Sequence, residues 1–135
     1  MLLRTAVEEI VRWTSPVVQF ARTASEDYTL RGQRIKRGNS LVLYYPSANR
    51  DEDVFKEPFK FDITRDPNPH IAFGIGEHFC LGANLARLEL EVIFGALLKQ
   101  IEYVEPTGAL ERLRSNFVGG IKRMPVRMKF RPHAM

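Results

Sequence analysis

A single cysteine, Cys80, stands among the 135 residues. The chain therefore cannot form an internal disulfide, which agrees with a reducing compartment and leaves that thiol free for metal or for chemistry. Long apolar runs are also missing. The longest uncharged one, Val92 to Leu98, falls far short of the ~20 residues a membrane span requires, and Met1-Leu2-Leu3-Arg4 leads into no signal-peptide core. The expected address is cytoplasmic, with no membrane span. No low-complexity tract, internal repeat or linker divides the chain, so residues 1–135 read as one domain. The composition, 44% hydrophobic and 27% charged, is that of a globular protein and excludes the disordered classes. Twenty basic residues against 16 acidic ones leave a net charge of +4. The basic residues are dispersed and accompanied by no nucleic-acid-binding motif, so an acidic partner or plain solubility accounts for the excess better than nucleic acid does.

The one cysteine lies in Phe73-Gly74-Ile75-Gly76-Glu77-His78-Phe79-Cys80-Leu81-Gly82, a glycine-rich loop running into a predicted helix. There, unpaired N–H groups and the positive end of the helix dipole favour a thiolate, as suits a ligand or a nucleophile. Gly74 and Gly76 open backbone angles closed to other residues, and Gly82, lacking a side chain, admits something flat or bulky at the first helical turn. The plainer alternatives are that Cys80 is a buried small hydrophobe and that the glycines only make a turn.

The surrounding elements read as α+β. Apolar spacing of Val7, Ile10, Val11 and Trp13 predicts a helix over Thr5–Thr14, stopped by Ser15-Pro16. Val17 to Arg22 is expected to be extended after the proline. Tyr28–Leu30, Arg34–Ile35 and Ser40–Tyr45, with turns at Arg31-Gly32-Gln33 and Arg37-Gly38-Asn39, predict a small antiparallel sheet. A short helix is expected over Pro46–Asp51, then an ordered meander from Asp53 to His70. Leu81–Ile101 is the clearest helix, with Leu81, Leu85, Leu88 and Val92 on one side and Ala86, Leu90, Ile93, Phe94 and Leu97 on another, both sides expected to be buried. Met124, Val126, Met128 and Phe130 alternate with basic residues as a strand does, after Phe117, Val118 and Gly119-Gly120.

Phe-Gly-x-Gly-x-His-x-Cys-x-Gly, from Phe73 to Gly82, resembles the signature of the cytochrome P450 family. Glu9-Ile10-Val11-Arg12 is similar to that family's Glu-x-x-Arg helix, and Phe61-Asp62-Ile63-Thr64-Arg65 to the segment that sends a second arginine to the same glutamate. The resemblance implies the C-terminal, haem-binding part of that fold: Glu-x-x-Arg helix, small sheet, meander, cysteine loop, long helix and C-terminal hairpin. It implies Cys80 as axial ligand of the iron of haem b, Phe73 beside the sulfur, and Arg22 and His78 at the propionates, with Gly74 and Gly82 completing the cofactor contacts. Glu9, Arg12 and Arg65 become a structural triad that locks the cysteine loop. Val17, Val18, Gln19, Phe20, Phe117 and Val118 become candidate substrate contacts. No catalytic residue beyond the iron ligand is implied in this portion.

Plainer readings stand beside several of these. Glu9 and Arg12, at i and i+3, make an exposed pair worth only ~0.2–0.5 kcal/mol on an ordinary helix. For Val18 and Phe20 core packing is an equal reading, for Arg22 a solvated strand charge, and for Phe117 and Val118 an ordinary hairpin turn. The activity implied is a haem-thiolate monooxygenase placing one oxygen atom of O2 into a C–H bond of an apolar substrate, with electrons from NAD(P)H through ferredoxin reductase and ferredoxin. Ser47 to Glu52 and Asn68-Pro69-His70 look like bacterial soluble members acting on steroid side chains, terpenoids or methyl-branched lipids. The family's long central helix and distal pocket wall have no counterpart before Thr5, so the chain reads as a partial domain. Two alternatives follow: a truncated module binding haem weakly or not at all, and a cysteine enzyme with His78 as base. The latter is disfavoured because residues two apart on an extended loop face opposite ways.

Overall fold

The computed structural model describes residues 2–132. Leu2–Thr14 forms α1, starting earlier than the expected Thr5 because Leu3 lies against Gly95 of the long helix and tertiary contact extends the first turn. Ser15 ends α1 with a φ of 39°, its hydroxyl donating to the Arg12 carbonyl at 2.9 Å. Past Pro16 the chain is extended, and β1 runs over Gln19–Thr23.

β2 (Tyr28–Leu30) and β3 (Gln33–Ile35) pair with each other. β4 (Ser40–Tyr44) instead pairs antiparallel with β1, Gln19 opposite Tyr44 and Thr23 opposite Ser40. The single small sheet expected from the sequence is thus two separate ladders. The turn around Gly38 causes the split: at a φ of 85° it hands the chain to Ala24, whose N–H donates to the Asn39 carbonyl while its own carbonyl accepts from Gly38. The short helix α2 covers Tyr45–Ala48 with Pro46 at its start, one residue earlier than expected and ending before Asp51. From Asp51 to Ile75 no helix or strand forms, as the lack of periodicity implies.

Helix α3 spans Ala83–Gln100. Leu81 and Gly82 lie outside it because the Ala83 N–H turns back to the Cys80 carbonyl. β5 (Ile101–Pro106), unforeseen in the sequence, follows directly and pairs with β8 (Val126–Phe130). β6 (Glu111–Arg112) and β7 (Ile121–Arg123) form a second hairpin between them. Buried apolar residues are Val7 and Val11 of α1, with Tyr45, Phe55, Ala72 and Ala83.

The expectation that both sides of α3 are buried is overturned. Leu85, Leu88, Val92, Ile93 and Leu97 are exposed, as is Leu81 just before the helix, since among the described residues α1 is the only helix packed along α3 and one neighbour covers only one stripe of a helix.

Candidate functional site

The loop before α3 is shaped by its glycines. Gly74 takes a φ of 77° and Gly76 one of 73°, angles that favour glycine. At Gly74 a Cβ would also sit 3.3 Å from the Tyr45 hydroxyl and 3.4 Å from the His78 carbonyl, so that position is closed by packing as well. A single 3-10 turn covers Gly76–His78. The chain then reverses so that the Cys80 N–H donates to the Phe73 carbonyl at 2.9 Å. Cys80 is exposed, which rules out its reading as a buried hydrophobe. The N–H groups of Leu81 and Gly82 have no acceptor among the described residues, so Cys80 directly precedes unpaired donors at the positive end of α3.

Cys80, His78, Phe73, Val17 and Phe20 line one cavity of about 370 Å³, whose remaining walls include Val11, Ala72, Ala86 and Leu90. His78 and Cys80 share it because the 3-10 turn breaks the alternation of an extended loop, correcting the expectation that they face apart. No hydrogen bond joins them among the described residues, as a cysteine–histidine catalytic pair would need.

Phe20 packs edge-on to Phe117 at 5.5 Å between ring centroids. Val17 bridges to Val118, and the Val18 N–H donates to the Phe117 carbonyl at 2.8 Å. The residues named as pocket contacts therefore converge from β1 and the β6–β7 hairpin, although Val18, Gln19, Phe117 and Val118 do not line the cavity itself. Arg22 is exposed and donates to the adjacent Ala21 carbonyl; two residues beyond Phe20, it shares the Phe20 face of the strand. A larger open groove of about 870 Å³, bordered by Trp13, Arg50 and Arg112 among others, holds no thiol and no carboxylate.

Among the described residues no group of three or more His, Cys, Asp or Glu could hold a bare metal ion. A metal seated on the Cys80 sulfur must then bring its other ligands with it. The surroundings fit a flat apolar ring: the walls are aliphatic and aromatic, and a Cβ built on Gly82 would meet nothing within 4 Å.

Under the loop, Glu9 and Arg12 are brought together with no side-chain exposure. Arg12 Nε donates to Glu9 Oε2 at 2.7 Å and Nη2 to Oε1 at 2.8 Å. Its remaining N–H groups reach the carbonyls of Asn49, Pro58 and Lys60. All five guanidinium donors are used. Glu9 also accepts from the Asp62 N–H and the Asn68 amide, and Arg65 Nε lies 3.2 Å away. Burial acts to raise the Glu9 pKa, but the bonds from Arg12 and Asp62 outweigh it and hold the carboxyl below its usual range. Asn49 links this hub to the loop, its Oδ1 accepting from the Ile71 N–H at 2.8 Å.

The neighbouring Glu8 heads a second network that sequence reasoning missed. Arg87 of α3 grips it through Nε at 2.6 Å and Nη2 at 3.0 Å, and His70 Nε2 lies 2.9 Å from Oε2. The usable signal was the acidic pair Glu8-Glu9: on a helix the two side chains point about 100° apart, so each needs its own cationic partner.

The sequence pattern described as Cytochrome P450 matches residues 1–129. The chain is 53% identical over 126 residues to a methyl-branched lipid omega-hydroxylase of Mycobacterium bovis, covering 93% of this chain and 29% of that protein. It is 51% identical over 123 residues to a steroid C26-monooxygenase of the same organism, covering 90% and 28%. The crystal structure of CYP108D1 from Novosphingobium aromaticivorans superposes with a TM-score of 0.90 at 49% identity, over 96% of this chain and 32% of that one. The chain thus spans less than a third of the length of these relatives. No helix among the described residues is long and apolar enough to cross a membrane.

Proposed function

The chain belongs to the cytochrome P450 family, and we propose that residues 1–135 are the haem-binding partial domain of a haem-thiolate monooxygenase, with Cys80 as the axial ligand of the iron. The observation that carries this reading is the lone, exposed Cys80 on an apolar cavity directly before α3. When bound, haem supplies activation of O2 for insertion of one oxygen atom into a C–H bond, a chemistry that thiolate ligation favours.

The chain's own residues would divide the remaining work. Phe73 would back the sulfur, and its carbonyl accepts the Cys80 N–H. His78 and Arg22 would hold the propionates by charge-assisted bonds, Gly74 sets the loop's turn and Gly82 leaves room for the ring. Val17, Val18, Gln19, Phe20, Phe117 and Val118 would border an apolar substrate. Relatives named for steroid and methyl-branched lipid oxidation support those two substrate classes, with terpenoids as a third. Electrons would come from NAD(P)H through a ferredoxin reductase and a ferredoxin in the cytoplasm.

The exposure of Cys80 and of α3 favours a further point: alone, these 135 residues do not turn over substrate even when loaded with haem, because water reaches the site. The test is carbon-monoxide difference absorbance of the reduced, haem-loaded chain. A thiolate-type Soret band that Cys80→Ser abolishes is expected. Haem bound without that band, or the band surviving in Cys80→Ser, overturns the assignment, since no second cysteine can substitute.

A further inference from the structure

We propose that Glu8, His70 and Arg87 form a positioning clamp that holds Phe73, and through its backbone Cys80, at the geometry of an iron ligand. The proposal deepens the haem-thiolate reading and rests on it for its purpose, though the geometry stands by itself.

The clamp draws on three separate parts of the chain: Glu8 lies on α1, Arg87 on α3, and His70 at the end of the meander. Among the described residues Glu8 is the only carboxylate that Arg87 contacts, and the contact is a two-pronged fork. That fork fixes the plane of the guanidinium as well as its charge. The fixed plane lies over the Phe73 ring, 4.6 Å from its centroid. On the other ring neighbour, His70, the tautomer is set by its surroundings. Nδ1 accepts the Ala72 N–H at 3.2 Å, so Nε2 carries the proton and donates to Glu8 at 2.9 Å. Its imidazole then lies 6.0 Å from the Phe73 centroid, tilted by 50°.

Arg87 and His70, each beside the Phe73 ring, are therefore fastened to one carboxylate. The same residue's carbonyl accepts the Cys80 N–H at 2.9 Å. The line of contact runs from α1 through Glu8, to Arg87 and His70, to the Phe73 ring, and along the Phe73 backbone to the ligand. The Glu9 hub touches this loop by another route, through Asn49 and the Ile71 amide, so the two can be separated by mutation. The energetics separate them too. Arg87 and Glu8 keep 29% and 28% of their side-chain exposure, so the pair adds little to global stability. Its effect is local, and a local effect is what positioning requires.

The measurement is amide hydrogen exchange on the 135-residue chain, comparing Cys80 with the paired residues Val104 and Met128 of the β5–β8 ladder. Arg87→Lys keeps the charge but loses the fork and the flat face. Glu8→Gln keeps the shape and loses the charge. Both are expected to speed Cys80 exchange on the order of tenfold while leaving Val104 and Met128 unchanged. Alkylation of Cys80, which needs no site assignment in a chain with one cysteine, should change rate in the same two variants. Unchanged Cys80 exchange, or acceleration at Cys80 and the ladder alike, overturns the clamp, the latter because it marks a general loss of stability. If one variant fails to fold, the other decides. The outcome is independent of haem: a selective effect in a chain that shows no thiolate-type Soret band would keep the clamp and remove the haem reading. The reverse result would remove only the clamp.

Discussion

Beneath the cysteine loop Glu9 and Arg12 have no exposed side-chain surface, whereas on α3 Leu85, Leu88 and Val92 stand 60%, 57% and 62% exposed. The usual order, apolar inside and charged outside, is locally inverted. The two regions differ in whether their needs are met within the chain. The guanidinium of Arg12 finds an acceptor for every donor, three of the contacts reaching beyond its own turn to the carbonyls of Asn49, Pro58 and Lys60, so the hub is closed around it. The outer face of α3 meets no neighbour among the described residues that could bury it. A closed polar hub fixes one arrangement of the meander, because each carbonyl it binds has one position. An uncovered apolar face fixes nothing and leaves its contribution to stability unrealised.

The largest break in that contrast comes from opening the hub. Glu9→Ala or Arg12→Ala strands a buried charge and should cost roughly 3–5 kcal/mol, read as the shift in urea unfolding. That is a large part of a typical domain's stability of about 5–15 kcal/mol. A cost under about 1 kcal/mol would mean that water enters the hub, and the contrast with α3 would fall.

How much of this was legible in the sequence differs in the same way. Glu9 and Arg12 are one helical turn apart, so their juxtaposition follows from the helix period alone, and Cys80 and its glycines lie within ten residues. Arg65 was legible only through family resemblance, since its approach to Glu9 depends on the path of an irregular meander. The Glu8–Arg87 pair spans 79 positions, and the acidic step Glu8-Glu9 signals only that Glu8 needs a partner, not which one. The β1–β4 pairing was missed because adjacent strands suggest adjacent pairing, while the turn at Gly38 decided otherwise. On α3 the pattern read correctly as apolar on two sides; burial was over-read, because periodicity tells which face wants cover and not whether a neighbour supplies it.

A smaller break is titration. Burial lowers the His70 pKa below its ordinary 6.5, overriding the hydrogen bond to Glu8 that would raise it. Below pH 6.5 the unfolded chain therefore binds more protons at this site than the folded one, and stability falls as pH falls. For Glu8 burial acts to raise the pKa, and bonds from Arg87 and His70 reverse this and lower it from 4.5. Glu9 is likewise lowered. Their contributions are present above pH 4.5 and are lost as pH drops through the folded values. The expected profile of unfolding free energy declines gently below pH 6.5 and steeply below 4.5. His70→Gln should remove the gentle limb and leave the steep one. A profile flat from pH 7 to 5, or an unchanged gentle limb in His70→Gln, would refute the assignment.

The smallest effect is expected where the sequence looks most core-like. Leu88→Lys places a charge on a helix position that apolar spacing marks for burial, and in a closed core such a change would rank among the costly ones. Here the Leu88 side chain is 57% exposed, and lysine forms helix about as well as leucine. Glu91, three residues on, offers an i,i+3 partner worth ~0.2–0.5 kcal/mol. The transfer term that would penalise the change is small, since the leucine gives up little buried surface. Unfolding free energy should therefore stay within about 0.5 kcal/mol of the parent chain, while binding of an apolar dye to this face decreases. The same substitution at Leu90, which lines the Cys80 cavity, should cost more, so the two positions calibrate each other. If Leu88→Lys costs more than about 1.5 kcal/mol, something covers α3 in solution. A concentration-dependent unfolding midpoint would then identify a second copy of the chain as the cover.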